Sequence, residues 1–233
     1  MAKAPRPGLC KTRLVPPLSP AQAAGLSAAF LRDMTENLRT AADMAPIVPY
    51  VAYAPVGTER LFDGVLAHGT GLVLADGFVD VPPGVEGFGS CLLHAVKSLF
   101  ALGHASVCVL NSDSPTLPPK FLRQAAAWLA EPDDRAVMGP ADDGGYYLLG
   151  MKQPHAHLFA GINWSTARVA AETRGRALEA GLELLELPTW YDVDDAASLQ
   201  RLQDELNDPT AAGFAAPCTA AWLASVALNA AAE

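Results

Sequence analysis

The chain lacks any long apolar run: its 233 residues contain no stretch of 18 or more consecutive apolar residues. A transmembrane helix needs about 20 such residues, so we expect no membrane span and no membrane partner. The basic start is similar to a leader peptide, but the prolines of LVPPLSP interrupt both an apolar core and an amphipathic helix. We therefore expect a cytoplasmic protein.

Paired cysteines are also lacking. Cys10, Cys91, Cys108 and Cys218 are scattered along the chain, with no CxxC spacing. This pattern indicates free thiols in a reducing compartment. No constellation of histidine and cysteine suggests a covalent nucleophile, so we expect any transfer reaction to proceed by direct displacement.

Basic residues are few, with 16 Lys and Arg against 25 Asp and Glu, and the net charge is -9. This balance argues against nucleic acid as a partner, because phosphate backbones need a positive surface. The basic residues are nevertheless concentrated at the start: Lys3, Arg6, Lys11 and Arg13 precede the first acid, Asp33.

Strand-like and helix-like segments alternate along the chain. SPAQAAGLSAAFLRDMTENLRTAADM predicts a long helix with Ser19 as N-cap, and TERLFDGVLAHG predicts a short one. ASVCVLN is a continuous apolar run, typical of a buried parallel strand. The alternation predicts βαβ units and an α/β fold with a mainly parallel sheet covered by helices. We expect one domain over residues 1–207 and an Ala-rich helix or tail at 208–233.

The opening segment KAPRPGLCKTRL combines cations with prolines and Gly8. The prolines stiffen a loop, and glycine lets the backbone approach a ligand closely. Lysine and arginine donate to phosphate oxygens, so the loop is a candidate phosphate site, although it lacks the Walker A pattern. The alternative is a solvated basic tail.

Two later segments carry acidic residues, one after a predicted strand and the other just before a predicted helix. VCVLNSDSPTLP places Asp113 at the carboxyl end of a strand, where it could hold Mg²⁺ or Mn²⁺, or begin an Asx turn. In LPTWYDVDDAASL, Asp192 and Asp194 face the same way if the segment is extended, and Asp194 or Asp195 could cap the next helix. Asp192 and Asp194 are therefore candidate ligands that would complete a site with Asp113.

The segment VMGPADDGGYYLLG has an Asp-Gly pair between two apolar runs, a strong hairpin signal. Its acids and glycines could also line a pocket for a sugar or base. From the residues alone, a plain turn is favoured.

Taken in order, KAPRPGLCKTRL, LNSDSPTLP, GPADDGGYYLLG, INWSTARV and WYDVDDAASL resemble a glycosyltransferase-A-like family of small bacterial proteins. Its members are regarded as nucleotide-diphospho-sugar transferases, some with an arsenosugar-biosynthesis label. The match runs from Lys3 to about Leu202. The family is similar to 2-phospho-lactate guanylyltransferases and, more distantly, to molybdenum-cofactor guanylyltransferases. The resemblance implies a Rossmann-like fold of the glycosyltransferase-A type, with a mixed, mainly parallel sheet and helices on both faces.

The resemblance also implies roles for particular residues. Asp113 corresponds to the metal-binding aspartate of an Asp-x-Asp motif, with Asn111 in the first acidic position. Asp192 and Asp194 correspond to a late acidic motif that can bind a second metal. The implied nucleotide-binding residues are Lys3, Arg6, Gly8, Lys11 and Arg13, of which Lys11 and Arg13 join Asp113 as catalytic candidates. The implied substrate-binding residues are Asp143, Gly144 and Gly145 at the donor or acceptor pocket and Trp164, Ser165 and Thr166 in an acceptor-side loop.

Two further departures from the family pattern stand out. Family members carry a hydrophobic strand before the KAP motif, whereas only Met1 and Ala2 precede Lys3 here. We expect the first strand to be truncated, or the true start to lie upstream. The segment EGFGSCLLHAV also lacks an acidic-arginine pattern at the start of its helix, so a substrate contact could be missing there.

Three functions are compatible with these features. Nucleotidyl transfer from a nucleoside triphosphate to a small phosphorylated acceptor is slightly favoured, because departing pyrophosphate needs cations around it. Glycosyl transfer from a nucleotide sugar to a small-molecule acceptor is the alternative that the family suggests. A non-catalytic nucleotide-binding protein is the third. The base, the acceptor and the oligomeric state, including a homodimer, stay open.

Overall fold

The computed structural model describes residues 1–230, and the side chains of residues 1–226. The predicted alternation of strands and helices is confirmed, with three short 3-10 turns between the main elements. In chain order the elements are β1 (Ala2–Lys3), α1 (Pro20–Ala42), β2 (Tyr50–Ala54), β3 (Gly71–Leu74), α2 (Phe88–Ala101), β4 (Val107–Leu110), α3 (Pro119–Ala130), β5 (Arg135–Pro140), β6 (Tyr146–Met151), α4 (Val169–Glu179), β7 (Glu183–Glu186), α5 (Ala196–Asn207) and α6 (Pro217–Ala230).

Two helices begin at capping boxes that the sequence encodes. Ser19 Oγ accepts from the Gln22 amide at 3.2 Å, and the Gln22 side chain accepts from the Ser19 amide at 2.8 Å. At α5, Asp195 Oδ1 accepts from the Ser198 amide at 2.8 Å. These bonds satisfy amides that have no partner within the helix, which defines where α1 and α5 begin.

The strands form two sheets. One is parallel, in the order β1-β2-β3, and the other has the order β4-β6-β5-β7. In the second sheet β6 is antiparallel to both neighbours, whereas β7 is parallel to β5. The strands therefore form a mixed, mainly parallel system, as predicted. The expected hairpin of β5 and β6 is confirmed.

Two local expectations were wrong. The segment predicted as a short helix forms only the 3-10 turn Glu59–Phe62, and Gly64 and Gly69 after it adopt φ values of +72° and +83° that no α-helix accommodates. The apolar strand β4 pairs antiparallel rather than parallel, because the β5–β6 hairpin brings β6 beside it. An apolar run indicates that a strand is buried but does not determine its direction.

Helices cover both faces of the strands. On one face, α2 and α4 pack against alternate residues of β5 such as Ala136 and Met138. On the other, α1 and α3 pack against Val137. The period-two alternation of the strand separates these two cores. Within the described residues, no helix is long and apolar enough to cross a membrane.

The first strand is only two residues long. The amino-terminal nitrogen of Met1 donates to the Leu110 carbonyl at 2.8 Å and so links β1 to β4, and burial lowers the pKa of this amine to about 6. Met1 and Ala2 line an apolar cavity of about 170 Å³ together with residues of β2 and β4. The truncation of the first strand stays a prediction.

The Ala-rich C-terminal segment is largely a packed helix. Trp222 and Leu223 of α6 contact the cluster around Phe30 of α1. The buried carboxylate of Asp33 accepts from the amides of Cys218 and Thr219 at 3.0 and 2.7 Å, so a residue of α1 caps α6. Residues 231–233 of the predicted segment lie outside the described residues.

Candidate functional site

A pocket of about 390 Å³ lies where the first four strands end. Its wall includes Ala54 at the end of β2, Ala75 after β3, and Ser112 and Asp113 after β4. The opening loop forms another side through residues 9–13. Ligands of open α/β sheets bind outside the carboxyl ends of the strands, so this is the position where a substrate site is expected.

The opening loop directs one of its cations into the protein. Lys11 adopts a left-handed backbone conformation, with φ 48°, just before the 3-10 turn Thr12–Leu14. Cys10 and Leu14 on either side are buried, and Leu14 packs in a cluster with Phe30. The loop is therefore anchored at two points, and the Lys11 side chain between them is only 5% exposed.

The buried ammonium of Lys11 joins the two predicted acidic segments. Its Nζ lies 2.7 Å from Asp113 Oδ1 and 3.0 Å from Asp194 Oδ1, and it donates to the Val193 carbonyl at 2.7 Å. Burial lowers the pKa of Lys11, but the attraction of the two carboxylates outweighs it, so the pKa lies above its usual value. The side chain is therefore a cation at neutral pH.

Backbone pairing brings the late acidic segment to the end of β4. The Val193 amide donates to the Asp113 carbonyl at 2.8 Å, which places Asp194 beside the pocket. Arg13, which is 71% exposed, approaches Asp194 Oδ2 at 3.4 Å. Two cations of the loop and two carboxylates thus meet at one point, which none of the local sequence patterns could specify.

Asp192 lies in the same negative environment but makes no contact with Lys11. Burial, followed by the charges of Asp143, Asp194 and Asp113, raises its pKa to about 7. Lys11 opposes this shift without cancelling it. The carboxyl group is consequently half-protonated near neutral pH in the folded protein.

We expect Asp192→Asn to stabilise the metal-free protein at high pH. Because the folded-state pKa is raised, stability is fully present below the unfolded value near 3.8 and is lost as the pH rises through about 7. Asn stays neutral, so at pH 8 the variant should be more stable by about 1–2 kcal/mol, after allowing for solvent screening. Urea unfolding in EDTA at pH 8 and pH 4 would measure this difference, which should vanish at pH 4.

Asp195→Asn is the matched control for this experiment. Hydrogen bonds from the Ser198 amide and side chain lower the pKa of Asp195, so its contribution is present above its unfolded pKa and is lost as the pH falls. The two variants should therefore shift stability in opposite directions at pH 8. A destabilised Asp192→Asn protein at that pH would contradict the prediction.

The other predicted phosphate-binding residues are placed unevenly. Lys3 is exposed and lines the pocket together with Lys11 and Arg13. Arg6 and Gly8 do not line it, and the Arg6 Nε is buried without a hydrogen-bond partner. The nucleotide-binding role of all five residues stays a prediction.

The predicted substrate-binding residues form a second loop pair. The Asp143 carboxylate accepts from the Gly145 amide at 2.7 Å, and the Gly144 carbonyl accepts from the Ala170 amide at 2.9 Å. Gly144 has φ +90°, and a Cβ there would lie 2.2 Å from the Ala167 carbonyl oxygen, so only glycine fits. The hairpin turn is thus fastened to the start of α4, which follows the loop of Trp164, Ser165 and Thr166.

Trp164 connects this loop pair to the pocket through Phe88. The two rings meet edge to face with centroids 5.4 Å apart, and Phe88 is 49% exposed on the pocket wall. Ser165 and Thr166 are exposed beside them. Asp143, Gly144, Gly145, Trp164, Ser165 and Thr166 are not on the pocket wall itself.

Sequence reasoning missed several pocket residues, among them Tyr53, Phe88 and Cys91. Phe88 and Cys91 lie in the first turn of α2, the helix start that was noted only for lacking a family pattern. Their position after β3 was the available signal, because a helix that follows a parallel strand begins near the substrate edge of the sheet.

Among the residues that the structure describes, no group of three or more His, Cys, Asp or Glu side chains is close enough together to hold a metal ion. Asp113 and Asp194 converge on Lys11 instead, together with one carbonyl oxygen. The predicted metal-binding roles of Asp113, Asp192 and Asp194 stay predictions.

Known proteins resemble the chain at two levels. A solved structure from Desulfovibrio desulfuricans G20, described as a "putative nucleotide-diphospho-sugar transferase", is 29% identical, with a TM-score of 0.80 over 97% of this chain and 93% of that one. CMP:2-keto-3-deoxy-manno-octonic acid synthetase complexed with CTP is 11% identical, with a TM-score of 0.50 over 75% of this chain and 86% of that one, a likeness of fold alone. No curated protein matches.

The family comparison covers the middle of the chain. A model described as "Uncharacterized protein conserved in bacteria (DUF2064)" matches residues 36–166, which include β2 through β6 and Asp113. The Desulfovibrio structure extends the likeness of fold to both ends. Since the model matches more than half of the sequence, the chain belongs to the DUF2064 family, and its fold is the glycosyltransferase-A-like, Rossmann-like fold of nucleotide-diphospho-sugar transferases.

Proposed function

We propose that the chain is a transferase that binds a nucleoside triphosphate or nucleotide sugar in the pocket at the carboxyl ends of β1–β4. The observation that carries the proposal is the meeting of Lys11 and Arg13 with Asp113 and Asp194 at this edge. A diphosphate needs cations and a bound metal ion around its oxygens, and carboxylates are what hold that metal. The arrangement supplies both kinds of group.

The donor set around Lys11 fits Mg²⁺ or Mn²⁺. Two carboxylate oxygens and the Val193 carbonyl oxygen converge on one cation, and oxygen ligands of these types are preferred by such metals. A metal ion held by Asp113 and Asp194 would neutralise charge on the departing phosphate. Asp192, whose pKa is raised to about 7, is a further candidate ligand that would bind as the carboxylate.

Nucleotidyl transfer is the reaction that the loop favours. An oxygen of a phosphorylated acceptor attacks the α-phosphorus, an O–P bond forms, and the bond to the β-phosphate oxygen breaks to release pyrophosphate. Lys11, Arg13 and the exposed Lys3 lie around the pocket, where they can neutralise the charge that collects on the leaving group. A synthetase of the same fold is described as complexed with CTP, which supports a nucleoside triphosphate as the ligand proposed here.

Glycosyl transfer is the second candidate, and the Desulfovibrio structure favours it. In that reaction the bond between the sugar C1 and the phosphate oxygen breaks, and a nucleoside diphosphate leaves. The half-buried Trp164 ring and the exposed Phe88 ring offer an apolar surface of the kind that sugar rings contact. Binding of nucleotide without turnover would instead indicate the third, non-catalytic function.

The products distinguish these reactions. The protein would be incubated with ATP, CTP, GTP or UTP, and separately with UDP- and GDP-sugars, with Mg²⁺ or Mn²⁺ and a panel of phosphorylated and hydroxylated acceptors. Pyrophosphate release dependent on acceptor supports nucleotidyl transfer, and nucleoside diphosphate release supports glycosyl transfer. A thermal shift with every nucleotide and metal combination is measured first, because ligands of the native state raise the melting temperature. No shift with any combination would overturn the proposal.

A further inference from the structure

The ammonium of Lys11 uses all of its hydrogen-bonding capacity inside the site. Lysine has three N–H donors, and three acceptors surround Nζ: Asp113 Oδ1, Asp194 Oδ1 and the Val193 carbonyl, all within 3.0 Å. The Phe30 ring, with its centroid 5.5 Å away, closes another side. The charge of Lys11 is thus paired inside the protein with two carboxylates and a carbonyl oxygen.

The position that Lys11 occupies is the one where a divalent ion would bind. The two carboxylate oxygens that accept from Lys11 are the oxygens that the proposed function assigns to Mg²⁺ or Mn²⁺. A divalent cation bound to the same oxygens would lie close to the ammonium, and at this degree of burial the two positive charges repel each other strongly. The ammonium therefore weakens the binding of metal for as long as it stays in place.

The surroundings of Lys11 allow its side chain to leave towards the pocket. Residues Pro7 to Leu9 of the loop are exposed, and Lys11 itself lies on the pocket wall beside Asp113 and Asp194. The four-carbon stem can swing without disturbing the buried anchors Cys10 and Leu14. A phosphate group in the pocket would offer the ammonium new acceptor oxygens.

We propose that Lys11 is an internal gate that keeps Asp113 and Asp194 closed to a divalent ion until nucleotide phosphate draws its ammonium away. The inference rests on the proposed function, and it adds that the binding of metal and the binding of nucleotide strengthen each other. Metal alone then binds weakly, because it must displace an ion pair. Metal with nucleotide binds well, because the displaced ammonium contacts the phosphate.

The decisive experiment is titration with Mn²⁺ alone, with free Mn²⁺ followed by electron paramagnetic resonance. Lys11→Met removes the charge and keeps most of the stem, so it should bind Mn²⁺ at least about tenfold more tightly than the wild type. Arg13→Met removes the other cation that contacts Asp194, but Arg13 is exposed, so its Mn²⁺ affinity should change by less than about threefold. A purely structural role of Lys11 would not improve metal binding.

Shifts of the melting temperature measure the coupling between metal binding and nucleotide binding. In the wild type, Mn²⁺ alone should give no shift, whereas Mn²⁺ with one of ATP, CTP, GTP or UTP should give a clear one. In Lys11→Met, Mn²⁺ alone should give a shift, and nucleotide should add little to it. Lys11→Gln serves as a second variant if the Met protein does not fold by circular dichroism.

The outcomes of these titrations distinguish a failure of the gate proposal from a failure of the proposed function. If the wild type shifts with metal and nucleotide together but neither Lys11 variant gains affinity for Mn²⁺ alone, the gate is overturned and the proposed function stands. If neither the wild type nor the variants bind any combination of metal and nucleotide, both are overturned. Tight binding of Mn²⁺ alone by the wild type also overturns the gate.

Discussion

Asp113→Asn should lower metal-dependent turnover by about three orders of magnitude, equivalent to about 4 kcal/mol of transition-state stabilisation. The carboxylate lies 2.7 Å from Lys11 Nζ, and it lies just after β4 on the pocket wall. Asparagine keeps the shape but not the charge that both a metal ion and the Lys11 ammonium need. The measurement is the rate of pyrophosphate or nucleoside diphosphate release with the substrate pair identified for the wild type.

The matched control is Asp142→Asn. Asp142 also lies in a loop at this edge, but its carboxylate pairs with Arg201 at 2.6 Å and is absent from the pocket wall. Its turnover should stay within about twofold of the wild type, since an exposed ion pair contributes little. Full activity in Asp113→Asn, with an unchanged melting temperature, would show that the metal assignment is wrong.

Asp33→Ala should destabilise the protein by about 2–4 kcal/mol, because two buried amides lose their acceptor. Asp33 is 0% exposed in the middle of α1, and it accepts from the Cys218 and Thr219 amides at the start of α6. No other charged residue joins these two helices through main-chain donors among the described hydrogen bonds. Urea unfolding followed by circular dichroism would give the free energy of unfolding.

Asp43→Ala provides the comparison for Asp33. Asp43 follows the end of the same helix and is exposed, so its replacement should change stability by less than about 0.5 kcal/mol. Asp33→Asn should fall between the two, since one side-chain oxygen can still accept. If Asp33→Ala unfolds at the same urea concentration as the wild type, α6 does not depend on this cap.

Local patterns were sufficient wherever the determining residues are close in sequence. Ser19 and Gln22 define the start of α1, Asp195 and Ser198 define the start of α5, and Asp-Gly defines the β5–β6 turn. In each case the groups that form the hydrogen bonds are within four residues of each other, so the local sequence is sufficient to predict them. Where the determining contact was distant, prediction failed: β4 was expected to be parallel, but the hairpin supplies an antiparallel neighbour.

The candidate site shows the same difference between what local sequence predicts and what distant contacts decide. The sequence singled out Lys11, Arg13, Asp113 and Asp194 by type and position, but it did not distinguish Lys11 from Arg13. The structure distinguishes them: Lys11 is 5% exposed and Arg13 is 71% exposed. Phe88 was missed, because its role depends on a pocket formed by four strands and a loop.

The sequence by itself determined most of the elements, the caps of α1 and α5, the hairpin turn and the set of residues that are proposed to bind phosphate or metal. Those properties follow from backbone preferences and side-chain chemistry that act over a few residues. Only the tertiary structure decided that Lys11 meets Asp194, 183 residues away, and that Asp192 has a pKa raised to about 7. Burial and the Coulomb interaction depend on distances between groups in the folded chain, and a local sequence pattern does not determine those distances.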